Sequence, residues 1–384
     1  STSLRSGRAK RTLSATVASK RNPSCGTMTT RLRSESNRTS VSGTPDSRTA
    51  PRPGSINRVR SLANVVLPLP VSPTTATITS APAALRTAPP LAADPLIALP
   101  AEAPARADWR IRQVPAPEVY GRSVAAAVDR MWRGEFSKVV LARTLELDCA
   151  EPLDVPAMLQ RLARRDAGGY TFALPTGPAR TLIGASPELL VSRRGRRVIA
   201  NPLAGSIPRS DDLAEDVRRA AALLQSAKDL HEHAVVVDAV HQALAPFCAD
   251  MTVPAKPTLI RTAAMWHLST TVTGTLAGPG ASALELACAL HPTPAVCGTP
   301  TDTAREVIRD SEPFDRGFFT GMVGWGDAAG DGEWVVTIRC AEAERDSLRL
   351  FAGAGVVAAS EPEAETAETA AKFRTFLAAV GAEL

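Results

Sequence analysis

Residues 333–342 (EWVVTIRCAE), 350–360 (LFAGAGVVAAS) and 361–372 (EPEAETAETAAK) set a cationic strand, a glycine turn and an acid-rich helix start almost in succession. That combination suits the joint binding of a small di-anion and a divalent cation. Read as one strand, the first segment puts Trp334, Val336, Ile338 and Cys340 on one face and Val335, Thr337, Arg339 and Ala341 on the other. Arg339 is therefore expected to project from a rigid element, with a guanidinium able to grip a carboxylate in bidentate fashion. Gly353 and Gly355 lack Cβ atoms, so the backbone there is able to approach an anion and offer N–H donors. Pro362 suits the first turn of a helix on which Glu365, Glu368 and Lys372 share a face. An ordinary amphipathic helix with a solvated acidic edge has the same pattern, so this helix alone does not decide a function.

Other candidates are equally ambiguous when taken singly. Lys138 in FSKVVLAR (136–143) reads as an edge-strand lysine. Glu188, directly after Pro187, reads as a surface or capping carboxylate. Glu232 borders the apolar stripe of a helix and is placed to face a cleft. His231 and His233 suggest zinc, but residues two apart on a helix diverge and no cysteine lies nearby at ligand spacing. His267, between Trp266 and Leu268, has the setting of a satisfied core histidine.

Taken in order, the segments resemble the chorismate-utilising enzymes, and within them the isochorismate synthases of catecholate siderophore pathways. The likeness rests on FSKVVLAR, GASPELL (184–190), NPLAGS (201–206), KDLHEH (228–233), WHLST (266–270), HPTPAVCGTP (291–300) and EPFDRGFFTGMVGW (312–325), followed by the C-terminal run. It covers roughly residues 120 to 380.

The resemblance implies a reaction in which water adds at C2 of chorismate, the double bonds shift and the C4 hydroxyl departs. Lys138 matches the family's water-activating base, and an ammonium serves as a base only when burial or cationic neighbours lower its pKa. Glu188 matches the general acid, which needs a carboxyl kept protonated. Glu232 and Glu368 match ligands of Mg²⁺, with Asp229 and Glu365 one turn earlier holding metal-bound water, in keeping with an ion that retains several waters. Arg339, Lys372, His267 and the backbone of Gly353 and Gly355 match substrate-binding positions, with Gly205, Ser206 and Ala295 lining the pocket.

Relatives separate at particular residues. Aminodeoxychorismate synthases carry a nucleophilic lysine where this chain has Ala204, and anthranilate synthases generally lack the lysine found here as Lys138. Salicylate synthases keep that lysine and form the nearest alternative. The expected pathway neighbour is an isochorismatase, and the pathway itself is open between siderophore, menaquinone and salicylate supply. A chorismate-binding remnant without catalysis is the alternative of a different class.

The elements that must position these groups read as α+β. Helices are expected near Val119 to Arg133 and Pro156 to Arg165, and strands over 136–147, 170–174, 181–186, 189–193 and 197–200. A long helix is expected after Pro208 with Ser210 as N-cap, and a closing meander runs from GMVGWGD to SLRLFAGAGVV. The resemblance sharpens this to two stacked, mainly antiparallel β-sheets flanked by helices, with the site in a cleft.

Composition divides the chain of 384 residues. Residues 1–60 hold 13 of the 44 Lys and Arg residues but 2 of the 39 Asp and Glu residues, so a net charge of +5 conceals a leader at +11 and a remainder at −6. Residues 1–117 are basic, then rich in Pro and Ala, and are expected to be disordered or not native to the family; residues 118–384 are expected to form the chorismate-binding catalytic domain. The family's N-terminal strands are not legible in that leader, which begins with Ser1, and an organelle transit peptide is the second reading. No specific nucleic-acid motif or membrane span is legible. The six cysteines lack CxxC spacing, consistent with reduced thiols and a cytoplasmic location. Nothing in the sequence requires an oligomer, and a monomer is expected.

Overall fold

The computed structural model describes residues 108–166, 168–278 and 280–384, together with two short strands, β1 (Val65–Leu67) and β2 (Thr79–Ser80). The chain continues through β3 (Arg110–Val114), α1 (Pro117–Trp132), β4 (Lys138–Asp148), α2 (Val155–Arg165), β5 (Tyr170–Pro175) and β6 (Arg180–Ser186). It then forms β7 (Leu189–Arg194), β8 (Arg197–Asn201), β9 (Leu203–Pro208), α3 (Leu213–Gln225) and α4 (Ala227–Leu244). Strands β10 (Cys248–Thr252), β11 (Thr258–Arg261), β12 (Met265–Ser269) and β13 (Val272–Leu276) precede α5 (Ala283–Leu290), β14 (Gly298–Thr299) and α6 (Thr301–Ser311). The chain closes with β15 (Met322–Gly326), β16 (Gly332–Val336), β17 (Cys340–Glu344), β18 (Ser347–Val357) and α7 (Pro362–Val380).

Every strand pairing is antiparallel. One large sheet runs β10-β13-β8-β7-β16-β15-β1-β2 and the other β14-β4-β18-β17-β6-β5, with β3 also paired to β4; β11-β12-β9 form a small third sheet. The large sheets face each other across Leu182, Leu189, Val323, Val335 and Phe351, which interdigitate in one apolar cluster. The outer face of the β4 sheet packs on α2 and α7 through Leu162, Ile183, Phe373 and Phe376. The β7 sheet packs on α4 and α5 through Val191, Val240, Leu286 and Trp334. These helices cover apolar faces that antiparallel sheets would otherwise expose, and hold the cleft between rigid walls.

Three expectations are corrected. Residues 333–342 are not one strand: β16 belongs to one large sheet and β17 to the other, and Arg339 lies in the connection with φ of 50°. The helix after Pro208 is two helices. Asp212, not Ser210, caps α3 by accepting from Glu215 N–H, and Ser226 caps α4 by accepting from Asp229 N–H. Ser210 is committed to the preceding turn, where its N–H donates to Asp216 Oδ1 at 2.9 Å. The stretch up to residue 117, in which the family's N-terminal strands are not legible, contains β1, β2 and β3; β1 pairs with β15 and β3 with β4. The remaining expectation of disorder or foreign origin falls on residues outside the described ones. The five described cysteines are free thiols, and no helix among the described residues is long and apolar enough to cross a membrane.

Candidate active site

Glu188 stands in the tight connection between β6 and β7, where its own N–H donates to Ser186 Oγ. Its carboxyl is buried, with the Leu203 N–H at the start of β9 pulling on its charge. Burial pushes it up to about 7, against the pull of Leu203 N–H and the charges of Lys138, Arg339 and Lys372. A carboxyl so poised holds a proton near neutrality and is able to donate it.

Lys138 opens β4 and is fully buried, its strand flanked by Thr299 of β14 and Val357 of β18. Its Nζ lies 2.9 Å from Glu232 Oε1, in a charge contact without the alignment of a hydrogen bond. Gly355 makes this contact possible, since a methyl there would overlap Glu232 Oε1 and press on Lys138 Cε. Gly205 serves the opposite wall: with φ of +77°, it brings β9 to within 3.0 Å of Asp229 Cβ, measured from where its own Cβ would stand.

The α7 face supplies a second pair. Lys372 Nζ lies 2.5 Å from Glu368 Oε1 and donates to the Gly353 carbonyl at 2.9 Å. Ser206 Oγ donates to Glu368 Oε1 at 2.8 Å. Burial alone would raise the Glu368 carboxyl, but Lys372 outweighs it and the group lies below its ordinary value. Glu365, one turn earlier, pairs with Lys228 at 2.7 Å and is pushed up to about 7 by burial and by Glu368. Asp229 is likewise raised, by burial, with Glu232 and Glu368 adding to the shift.

Hard carboxylate oxygens, mutual repulsion and a buried Glu365 Oε2 without a hydrogen-bond partner among the described residues fit a small divalent cation. In the side-chain positions described, no three Asp, Glu, His or Cys residues converge as a ready-made ligand set, because lysines hold Glu232, Glu365 and Glu368. The fit is therefore to an ion taking two carboxylates and completing its shell with water or substrate oxygens.

Arg339 and His267 complete the wall opposite α7. His267 sits on β12, buried and held well below its ordinary pKa by burial and by Arg339, so it is neutral. Arg339 Nη2 approaches His267 Nε2 at 3.5 Å, while its Nε is buried without a partner among the described residues. A substrate carboxylate would satisfy that donor. The left-handed backbone at Arg339 turns the guanidinium into the cleft at the crossing between sheets.

The cleft leaves about 60 Å³ of free space and is lined by Glu188, Gly205, Ser206, Glu232, His267, Ala295, Arg339, Gly353, Gly355, Glu368 and Lys372. Lys138 is not among the lining residues; it lies behind the wall, in contact with Glu232. Glu365 and Asp229 stand behind the lining. A more open hollow on the far side of Lys228 and His231 contains none of the proposed acid, base or substrate-clamping groups. Sequence reading passed over Lys228, although its position four residues before Glu232 was the signal for it. Thr320 and Ile338 also line the cleft; they fall inside the segments 312–325 and 333–342, but neither had been expected at the site.

The model of the chorismate binding enzyme family matches residues 94–381. The isochorismate synthase DhbC of Bacillus subtilis is 62% identical over 281 residues, which are 72% of this chain and 71% of that protein. The vibriobactin-specific isochorismate synthase of Vibrio cholerae is 49% identical over 270 residues, 70% of this chain and 68% of that protein. Among solved structures, DhbC from Bacillus anthracis superimposes with a TM-score of 0.70 and 58% identity, covering 71% of this chain and 74% of that one.

Proposed function

The chain belongs to the chorismate-binding enzyme family, and we propose that the cleft converts chorismate to isochorismate, supplying 2,3-dihydroxybenzoate for a catecholate siderophore. It is an isochorismate synthase by this reading, and one observation carries the mechanism. A buried carboxyl with its pKa pushed up to about 7, Glu188, shares a cleft with Glu232, a candidate metal ligand that is also the counter-ion of the buried Lys138 behind it.

Arg339 takes a substrate carboxylate on its buried guanidinium, and Lys372 with the Gly353–Gly355 backbone takes up further negative charge. Lys138, once withdrawn from Glu232 and having released its ammonium proton to solvent, accepts as a neutral amine the proton of the water that attacks C2. As the new C–O bond forms the double bonds shift, the C4–O bond breaks, and Glu188 gives its proton to the departing hydroxyl, which leaves as water. Neutral His267 offers a hydrogen bond beside the ring without adding charge. Glu232 and Glu368 would hold Mg²⁺, with Asp229 and Glu365 behind its water ligands; when bound it supplies positive charge opposite a substrate carboxylate. Ala204, a methyl in place of an amine, leaves water as the nucleophile.

Incubation of the purified chain with chorismate and Mg²⁺, with products separated by chromatography, tests the reading. Isochorismate is expected, and it disappears with Lys138→Ala or Glu188→Ala. Salicylate with pyruvate would transfer the chain to the salicylate synthases. A cooperatively folded chain that binds chorismate and turns none over would be the remnant.

A further inference from the structure

His233 lies outside the acid, base and binding groups, yet three separated segments meet on its imidazole. It is buried on α4, next to Glu232 in the chain. Its Nδ1 stands 3.1 Å from the Ala204 carbonyl and its Nε2 2.7 Å from Thr270 Oγ1. A carbonyl only accepts, so Nδ1 carries the hydrogen and donates; Nε2 is then bare and accepts from the Thr270 hydroxyl. The ring is thus fixed as one neutral tautomer.

The anchored residue sits between two contacts that reach the chemistry. Ser206 Oγ, two residues after Ala204, donates to Glu368, and the Leu203 N–H, one residue before it, draws down the pKa of the Glu188 carboxyl. We infer that His233 is a positioning residue for the reaction, clamping β9 at Ala204 so that Leu203 orients the acid and Ser206 orients Glu368. This rests on the function proposed above. Thr270, in the connection between β12 and β13, locks the tautomer that makes the clamp, and Ala204 on β9 lines the cleft.

His233→Asn keeps an amide donor near the Nδ1 position, His233→Gln places its amide near Nε2, and His233→Phe keeps volume without either bond. Well below each variant's melting temperature, Phe and Gln are expected to lose about 10- to 100-fold in kcat and Asn to be largely rescued. The alkaline limb of the pH–rate profile moves upward in the Phe variant, because the Leu203 N–H that lowers the Glu188 pKa is loosened. Equal kcat and an unmoved limb in His233→Phe would overturn the clamp, as would Asn and Phe falling equally in step with melting temperature.

Imidazole ¹⁵N NMR of the wild-type chain reads the tautomer independently of turnover. A protonated Nδ1 with a bare Nε2 that loses its shift in Thr270→Val supports the clamp, and the opposite tautomer sinks it. A wild-type chain with this tautomer and no isochorismate would remove the proposed reaction while leaving the clamp as a feature of the cleft.

Discussion

At one end of the cleft Glu188 is buried with a backbone N–H for company and no ion-pair partner among the described residues; at the other, Glu368 is half-buried and lies 2.5 Å from an ammonium. The first carboxyl is pushed up to about 7 and the second is held below its ordinary value. Two glutamates of the same intrinsic acidity thus become a proton donor and a fixed anion. What differs is whether a cation repays the desolvation.

The largest effect that would break this contrast is on turnover. Glu188→Gln is expected to lower kcat by about 10²- to 10⁴-fold in steady-state assays, and to abolish the decline in wild-type activity above about pH 7. A variant within a few-fold of wild type would remove Glu188 as the acid.

Stability should separate the ends by sign. The folded pKa of Glu188 lies above its unfolded value, so its contribution is fully present below about 4.5 and lost as pH rises through about 7. Glu188→Gln should therefore melt above wild type at pH 8. Glu368 is shifted the other way, so its contribution is present above its unfolded value and lost on acidification. Glu368→Gln is expected to cost about 1 to 2 kcal/mol in urea unfolding at pH 7, because it leaves the half-buried Lys372 without its counter-charge.

Lys138→Met should be comparably destabilising, since it strands Glu232. Adding Glu232→Gln should restore much of the stability but none of the turnover, which separates the lysine's pairing from its chemistry. The smallest effect belongs to the rim: Glu344→Gln breaks a half-exposed pair with Arg180 and should change unfolding free energy by less than about 1 kcal/mol without altering kcat.

The sites legible in the sequence were those whose segments carry several informative residues at once. Glu188, Glu232, His267, Arg339 and Glu368 all line one cleft. The break at Arg339 was hidden because residues 333–342 alternate without interruption, and a left-handed arginine leaves no mark such as glycine. The helix break at Ser226 was hidden because apolar periodicity continues across it, while the cap depends on a hydroxyl turned toward Asp229 N–H. Strands β1 and β2 are 3 and 2 residues long, too short for periodicity, and β1 is specified by the neighbouring β15 edge. Lys228 had helical spacing to Glu232, but its counter-ion Glu365 is 137 residues away.

The sequence by itself determined the chemical groups available, their order along the chain and the amphipathic patterns that make two walls. Only the tertiary structure decided that Lys138 meets Glu232, that His233 holds Ala204 against Thr270, and that Glu188 keeps its proton while Glu368 does not. Desolvation and Coulomb energy depend on burial and on distances between groups far apart in the chain, and those quantities exist only after the sheets have packed.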